Sequence, residues 1–275
     1  MIYRKIHLKG IEHIGTITFK ESQQFRKKYY PVNKFTSKNS IKGARWLIKK
    51  YGGIKSHICD PMVGIGTYLV EAISLGHTAY GFDIYEYQIQ SARENAEWRQ
   101  RHQKNVGCYK LHWMPGNLAY EVLPPGSMDL TIWSPPYGLQ NHSMGTTKKQ
   151  IDLQKKKNLY SCQSYGKESP FRENDVSKCK NIKAFYESMK PLIASSVRIL
   201  KRNGYMIIVL QDYIRKGKPV GIVQGFVDLV LEHSPMKAVG YHTRQVPITY
   251  FKQGQIKKGN NVVVVEHMLV FRKKK

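Results

Sequence analysis

The chain has 275 residues, of which 45 are Lys or Arg and 19 are Asp or Glu, so its net charge is +26. Hydrophobic residues make up 41%, enough for the core of one large α/β domain or two small ones. The sequence has no run of about 18 apolar residues, which excludes an ordinary membrane span, and it begins without a secretory apolar segment. None of the four cysteines forms a CxxC pair, so we expect an intracellular, cytoplasmic protein without a zinc site or a disulfide framework.

The positive charge is unevenly distributed along the chain. Residues 1–55 carry a net charge of +12, residues 56–137 of −3, residues 138–185 of +6 and residues 186–275 of +11. A uniformly basic chain can reflect solubility alone. A near-neutral segment between basic ones instead favours a polyanion, such as nucleic acid, that lies across a small-ligand pocket.

Hydrophobic periodicity predicts helices and strands that alternate along the chain. Ser40 is a candidate N-cap for a first helix that stops at Gly52-Gly53. Strands are predicted over 56–60, 78–84, 108–114, 128–133 and 205–212, and further helices over 66–76, 86–103, 181–202 and 221–233. Two last strands, about 238–251 and 261–272, are expected to form a hairpin. The pattern predicts an α/β fold with a mostly parallel sheet, a C-terminal antiparallel hairpin and ligands at the carboxyl ends of the strands.

A glycine turn follows the first strand of the predicted sheet. Asp60 ends this strand, Gly64 and Gly66 allow the backbone to approach a ligand closely, and Thr67 opens the next helix. Asp83 ends the second strand, where a carboxylate suits the hydroxyl groups of a ribose. The third glycine of a dinucleotide fingerprint and the lysine of a P-loop are both missing. The pattern therefore indicates a nucleoside site, with an ordinary strand–helix turn as the alternative.

The fourth predicted strand runs directly into Ser134-Pro135-Pro136-Tyr137. Prolines cannot donate the hydrogen bonds of a sheet, so the strand must end here. They also fix the direction of a main-chain carbonyl with little entropy to lose. This carbonyl, the Ser134 side chain and the Tyr137 ring are therefore candidate groups of a catalytic site. A Pro-Pro turn with a packed tyrosine is the alternative.

The two motifs resemble those of S-adenosylmethionine-dependent DNA amino-methyltransferases, the cytosine-N4 and adenine-N6 family. Asp60-Pro61-Met62-Val63-Gly64-Ile65-Gly66-Thr67, followed by Glu71-Ala72 and Gly81-Phe82-Asp83, is similar to motif I, with Met62 in place of the family's Phe. Ser134-Pro135-Pro136-Tyr137 is similar to motif IV, in which Asp, Asn or Ser precedes Pro-Pro and an aromatic residue. The resemblance implies a class I methyltransferase fold, Rossmann-like, and S-adenosylmethionine as cofactor. The cofactor-binding residues that it implies are Asp60, Pro61, Gly64, Gly66, Thr67, Asp83 and, at the position of the adenine contact, Asn117.

The resemblance also implies a mechanism that needs no metal. Ser134 and a main-chain carbonyl of the Pro135-Pro136 step would accept hydrogen bonds from the amine, and Tyr137 would stack on a base flipped out of the duplex. A serine at the first position resembles the cytosine 4-amino enzymes, whereas aspartate and asparagine are usual in adenine 6-amino enzymes. The expected function is site-specific methylation of cytosine N4 in double-stranded DNA, as in restriction-modification enzymes.

Several alternatives stay open on the sequence. One is an adenine 6-amino DNA methyltransferase. Another is an RNA methyltransferase, such as one acting on the guanine 2-amino group of tRNA; its motif is Asp-Pro-Pro-Tyr-Gly, and Gly138 follows Tyr137 here, although Ser134 departs from that Asp. Residues 1–53 also look short for the RNA-binding domain of such enzymes. The non-enzymatic alternative is a basic nucleic-acid-binding protein with an inactive methyltransferase fold.

The motif order predicts a single methyltransferase domain over residues 1–275. Its expected regions are a basic arm with a helix similar to the family's motif X (1–53), the cofactor and catalytic core (54–137), a candidate target-recognition loop (138–180) and the second half of the sheet (181–275). Lys34, Thr36 and Ser40 are candidate cofactor contacts in the first region. The loop combines ten basic residues up to Lys183 with interleaved aromatic residues, a mix that suits phosphate and base-edge contacts.

Overall fold

The computed structural model describes residues 2–19, 21, 30–31, 39–136, 169–247 and 250–274. Its helices are α1 (Ile41–Tyr51), α2 (Thr67–Ser74), α3 (Glu86–His102), α4 (Ile182–Ile199), α5 (Ile222–His233) and α6 (Tyr250–Lys257). Its strands are β1 (Ile2–Tyr3), β2 (His13–Ile17), β3 (His57–Asp60), β4 (Thr78–Asp83), β5 (Tyr109–Trp113), β6 (Met128–Trp133), β7 (Leu200–Gln211), β8 (Ile214–Arg215), β9 (Lys218–Pro219), β10 (Met236–Gln245), β11 (Val262–Val263) and β12 (Val265–Lys273).

Eight strands form the central sheet, in the order β2-β10-β12-β7-β6-β3-β4-β5. Strand β12 is antiparallel to both of its neighbours, and the other described pairings in this sheet are parallel. Strands β10 and β12 form the predicted C-terminal hairpin, with α6 inside their connection. The predicted fold class, α/β with a mostly parallel sheet and a C-terminal antiparallel hairpin, is confirmed. Among the described residues, no helix has the length and apolar character needed to cross a membrane.

Helices cover both faces of the sheet, and each face has its own core. Helices α1, α2 and α3 pack on one face through buried side chains such as Leu47 and Leu69. Helices α4 and α5 pack on the other through Phe185 and Phe226, which meets the fully buried Trp133 of β6 at 6.1 Å between ring centroids. Burying one large apolar side chain stabilises a fold by about 1.5–3 kcal/mol. The strand that leads into the proline turn is therefore firmly anchored.

Helix ends follow local capping chemistry. The Ser40 hydroxyl accepts a hydrogen bond from the Gly43 N–H at 3.0 Å, which confirms the predicted N-cap, and α1 stops before Gly52. Asn181 caps α4 in the same way, because its side-chain oxygen accepts from the Ala184 N–H at 2.8 Å. These caps satisfy backbone N–H groups that have no partner within the helix.

Several elements differ from the sequence prediction. The strand predicted over 238–251 ends at Gln245, and the helix α6, which was not predicted, begins at Tyr250. Strand β7 begins at Leu200, so the helix predicted over 181–202 is three residues too long; Asn203, with φ +64°, lies where the register against β6 shifts. Strand β2 is not predicted, and it adds a parallel edge strand beside β10. Most of its side chains are exposed, so it lacks the alternation of buried and exposed residues that marks a strand.

Candidate active site

A cavity of about 540 Å³ opens at the carboxyl ends of β3, β4 and β6. Its wall brings together most of the predicted site residues: Pro61, Gly64, Thr67, Asp83, Asn117, Ser134, Pro135 and Pro136. Asp60 and Gly66 are buried without lining the cavity. Tyr137 lies outside the described residues. This volume falls in the range of about 300–1,000 Å³ that is usual for ligand pockets.

The glycine turn after β3 is shaped by two carboxylates. The Asp60 carboxylate accepts a hydrogen bond from the Met62 N–H at 3.1 Å. The Asp83 carboxylate accepts from the Gly64 N–H and from the Tyr85 N–H, each at 3.0 Å, and so joins the turn after β3 to the turn after β4. A carboxylate offers about four acceptor positions. Asp83 therefore keeps acceptor capacity for the hydroxyl groups of a ligand.

Three glycines let backbone segments meet at this site. Gly64 and Gly66 have φ of +52° and +84°, in the left-handed region that favours glycine. A Cβ atom on Gly116, in the turn after β5, would lie 2.0 Å from the Pro61 carbonyl oxygen. A side chain at this position would push the turns after β3 and β5 apart. Both turns line the cavity, so this close approach fixes the distance between these two parts of its wall.

Burial changes the titration of both aspartates. It raises the pKa of Asp83 to about 6, although hydrogen bonds from Tyr85 and Gly64 act in the opposite direction. Burial also raises the pKa of Asp60 well above its usual range, opposed by the Met62 N–H and reinforced by the charge of Asp83. A ligand that donates hydroxyl hydrogens to Asp83 would favour its ionised form.

The proline turn lies beside the glycine turn because of the sheet order. Strand β6 pairs with β3 on one side and with β7 on the other. Neighbouring strands are about 4.8 Å apart, so the turns at their carboxyl ends are adjacent. Ser134 and Pro136 are half-buried and Pro135 is buried, and all three line the same cavity as Asp83. A group held against Ser134 can therefore reach a ligand held by Asp83.

Asp175, an acidic group that the motifs did not indicate, also lines the cavity. Asp175 is only 7% exposed; it accepts a hydrogen bond from the Tyr85 hydroxyl at 2.5 Å and pairs with Lys178 Nζ at 2.9 Å. Burial works against ionisation of Asp175, but hydrogen bonds from Ser177, Tyr85 and Lys178 outweigh it and lower the pKa of this carboxyl. Its charge is therefore held at the wall of the cavity.

Asp175 belongs to the end of the predicted target-recognition loop, residues 138–180, of which the structure describes 169–180. This segment is tied to the turn after β4, because the Ser169 hydroxyl donates to the Ile84 carbonyl. Phe171 meets Trp113 of β5 edge to face, at 6.3 Å between ring centroids. The described end of the loop is thus part of the cavity wall.

The candidates from the motif-X-like region have different outcomes. Lys34 and Thr36 lie outside the described residues. The Ser40 hydroxyl caps α1 and donates to Glu21 at 2.8 Å, and Ser40 does not line the cavity, whereas its neighbour Asn39 does. Ser40 thus serves as a helix cap in this structure.

The predicted cofactor, S-adenosylmethionine, fits this cavity. Besides Asp83, the wall contains Gln88, whose side-chain oxygen is buried and has no hydrogen-bond partner among the described residues. A buried acceptor of this kind is costly unless a ligand or water satisfies it. Asp83 and Gln88 would hold polar groups of the nucleoside, and Asn117 would contact its adenine. Within the described ranges, no group of three or more His, Cys, Asp or Glu side chains could hold a metal ion.

Comparisons with known proteins find similarity in structure. Neither a protein-family model nor a curated protein sequence matches the chain. The structure of PH0851 has a TM-score of 0.51 and 13% identity, and the match covers 86% of this chain and 46% of that chain. TrmN from Thermus thermophilus has a TM-score of 0.47 and 15% identity, covering 86% and 50%. A protein described as an S-adenosylmethionine-dependent methyltransferase from Methanosarcina mazei has a TM-score of 0.47 and 13% identity, covering 83% and 97%.

The chain spans about half the length of the first two of these proteins. At such low identities, structural similarity shows the fold alone. The sheet has the order β5-β4-β3-β6-β7-β12-β10, with β12 antiparallel, and β2 is added at its edge. This strand arrangement, with a ligand cavity at the carboxyl ends of the central strands, is that of the class I S-adenosylmethionine-dependent methyltransferase fold. The chain has this fold, as the resemblance implied.

Proposed function

We propose that the protein transfers a methyl group from S-adenosylmethionine to an exocyclic amino group of a nucleobase, and that its substrate is the 4-amino group of a flipped cytosine in DNA. The observation that carries the proposal is the shared cavity. Ser134, Pro135 and Pro136 line the same cavity as Asp83 and the glycine turn. A cofactor and an amine bound there would be in contact.

The two sides of the cavity have different tasks. Asp83 accepts hydrogen bonds from hydroxyl groups, and the close turns at Gly64 and Gly116 let the backbone approach a nucleoside. When bound, S-adenosylmethionine supplies an electrophilic methyl group. The protein supplies orientation, which by itself can account for several kcal/mol of the activation free energy.

The proline turn acts on the amine. An exocyclic amino nitrogen is a poor nucleophile, because its lone pair is delocalised into the ring. The Ser134 hydroxyl oxygen and a main-chain carbonyl of the Pro135-Pro136 step each accept a hydrogen bond from one N–H of the amine. These two bonds favour a pyramidal nitrogen with an available lone pair. Tyr137 stacks on the extruded base, which offsets lost stacking by about 1–3 kcal/mol. The Ser134 hydroxyl is neutral, so water takes the proton that the amine loses.

Charge and the identity of residue 134 support the choice of substrate. A net charge of +26 suits binding to a polyanion. Because residues 56–137 have a negative net charge, the excess positive charge lies in the segments before and after them. Serine in place of aspartate favours cytosine within the amino-methyltransferases that the motifs resemble. Double-stranded DNA is the substrate that combines these features, and adenine N6 and RNA amines are the alternatives that experiment must separate.

The test is methyl transfer from radiolabelled S-adenosylmethionine to duplex DNA, single-stranded DNA and tRNA. We expect label in duplex DNA. Label in RNA alone would overturn the assignment to DNA while leaving the reaction type intact. A protein that does not bind S-adenosylmethionine in a calorimetric titration would be a nucleic-acid-binding protein with an inactive fold, and the proposal would be wrong.

A further inference from the structure

We propose that a basic rim beside the proline turn binds the sugar-phosphate backbone of the nucleic acid; this inference rests on the proposed function. The rim consists of Arg4, Lys5, Arg215, Lys216, Lys218, Lys257 and Lys258, all of them exposed. It comes from three segments that are distant in sequence, none of which belongs to the predicted target-recognition loop. Its partner is a polynucleotide phosphate backbone, a chemistry that DNA and RNA share.

The rim lies at the same edge of the sheet as the proline turn. Trp133 of β6 pairs with Ile208 of the parallel strand β7, and the chain leaves β7 at this edge to form the β8–β9 hairpin. The antiparallel strand β12 begins at this edge, so the α6–β11 segment that precedes it lies there too. Three strand spacings separate β6 from β10, so the rim extends about 15 Å from the proline turn.

Contacts join the three segments into one surface. The Asn261 side chain donates a hydrogen bond to the Gly217 carbonyl at 2.5 Å, which links the α6–β11 segment to the hairpin tip. Strand β1 pairs with β11, and the Gln245 side chain donates to the Arg4 carbonyl at 2.7 Å. The positive side chains are therefore carried by a connected backbone and do not belong to separate loops.

The charge of the rim is not compensated locally. Residues 2–11, 213–221 and 250–261 contain no Asp or Glu. Among the described residues, none of the seven rim side chains forms an ion pair. Asp212 is buried and accepts backbone N–H groups, and Glu266 pairs with Arg244 at 2.8 Å.

The length of the rim matches a polyanion. A duplex carries one negative charge per ~1.7 Å of its axis, so a rim of about 15 Å can face roughly nine phosphate charges. Seven cations on segments that contain no Asp or Glu, next to the turn that would receive a flipped base, form a surface of the kind that positions a nucleic acid on an enzyme. Ion release on binding then makes the affinity depend steeply on salt.

The hairpin tip permits a clean variant. Lys216 and Gly217 have φ of +49° and +78° between the paired strands, which is the type I′ turn of a two-residue hairpin. Asparagine tolerates this conformation better than alanine. The rim variant is therefore Arg215→Gln, Lys216→Asn and Lys218→Gln. Its matched control, Arg101→Gln, Lys104→Gln and Lys237→Gln, removes three exposed cations at the opposite edge of the sheet.

The measurement is the affinity of the full chain for a fluorescent DNA duplex and for an RNA hairpin of equal length, over a series of salt concentrations. The slope of log K against log salt is negative, and each lost phosphate contact lowers its magnitude by about 0.9 on duplex DNA. We expect the rim variant to lose about 2–3 in slope and at least tenfold in affinity on one polymer or both, while the control keeps the wild-type slope. Melting temperatures of both variants that match the wild-type value verify that the fold is intact.

Two outcomes would overturn the rim. One is a rim variant with the wild-type slope; the other is an equal loss in both variants, which would reflect net charge alone. Either result, obtained with a wild-type protein that still methylates nucleic acid, would refute the binding role of the rim without contradicting the proposed function. A wild-type protein that neither binds nor methylates DNA or RNA would instead remove the proposed function.

Discussion

Two turns at neighbouring strand ends build the site in opposite ways. The turn after β3 uses glycines with positive φ, and carboxylates hold its backbone N–H groups. The turn after β6 uses two prolines, which have no N–H group to hold and a fixed φ. The first arrangement brings the backbone close to a ligand, whereas the second fixes the direction of a carbonyl. Cofactor binding and methyl transfer should therefore be separable by mutation, one turn at a time.

The largest effect is expected at the proline turn. Ser134→Ala should lower kcat by about 10²–10³, because it removes one hydrogen-bond acceptor that acts on the amine during transfer. The Kd of S-adenosylmethionine should stay close to the wild-type value. Single-turnover transfer and calorimetric titration measure the two quantities. Ser127→Ala, whose hydroxyl donates to the Pro124 carbonyl away from the cavity, is the control. Parallel losses in binding and turnover would contradict the separation of the two turns.

An intermediate effect is expected at the glycine turn, as a function of pH. The pKa of Asp83 is raised to about 6, so this carboxyl is ionised at about pH 7 and largely protonated at about pH 5. The ionised form accepts ligand hydroxyl groups, so the Kd of S-adenosylmethionine should rise about tenfold as the pH falls through this interval. Titration calorimetry at several pH values measures the change.

The control for this pH dependence is Asp83→Asn. The variant should bind S-adenosylmethionine weakly and with no dependence on pH over the same interval. Asp60 also has a raised pKa and lies at the same turn. A pH dependence that persists in Asp83→Asn would assign the titration to Asp60 and refute the role given to Asp83.

The smallest effect is expected where the glycine turn meets the end of the predicted recognition loop. Tyr85→Phe keeps the ring and removes one hydrogen bond to Asp175. Its loss should cost about 1 kcal/mol, which corresponds to about fivefold weaker binding of S-adenosylmethionine, with kcat unchanged. Tyr51→Phe is the matched control, because its hydroxyl bonds to His242 away from the cavity at 2.7 Å. Equal effects of the two variants on cofactor affinity would refute a role for Asp175 in the site.

The two turns also show what the sequence can predict. Both follow short apolar strands and contain residue types with narrow backbone preferences, so their places in the fold could be assigned from local pattern alone. β6 begins and ends where it was predicted, and β3 and β4 differ by one residue at one end. Short-range chemistry determined these elements, as it did the cap at Ser40.

Contacts between distant segments could not be predicted in the same way. Tyr85 and Asp175 meet across 90 residues of sequence, and no periodicity relates them. The edge strand β2 is exposed on most positions and is defined only by its partner β10. The basic rim likewise joins three segments through contacts of Asn261 and Gln245. The composition indicated a polyanion partner, but the order of the strands determined where the positive side chains of the protein lie together.

The identity of the methylated atom is the decisive measurement for this protein. Nucleic acid treated with the protein and with S-adenosylmethionine carrying a deuterated methyl group can be digested to nucleosides and analysed by mass spectrometry. We expect the deuterated methyl group on the 4-amino nitrogen of deoxycytidine, and almost none when the Ser134→Ala variant reacts for the time that the wild-type protein needs for one turnover. A label on the adenine 6-amino group would correct the base. A label on a ring carbon or a ribose oxygen would contradict the assignment of Ser134-Pro135-Pro136 to an amine.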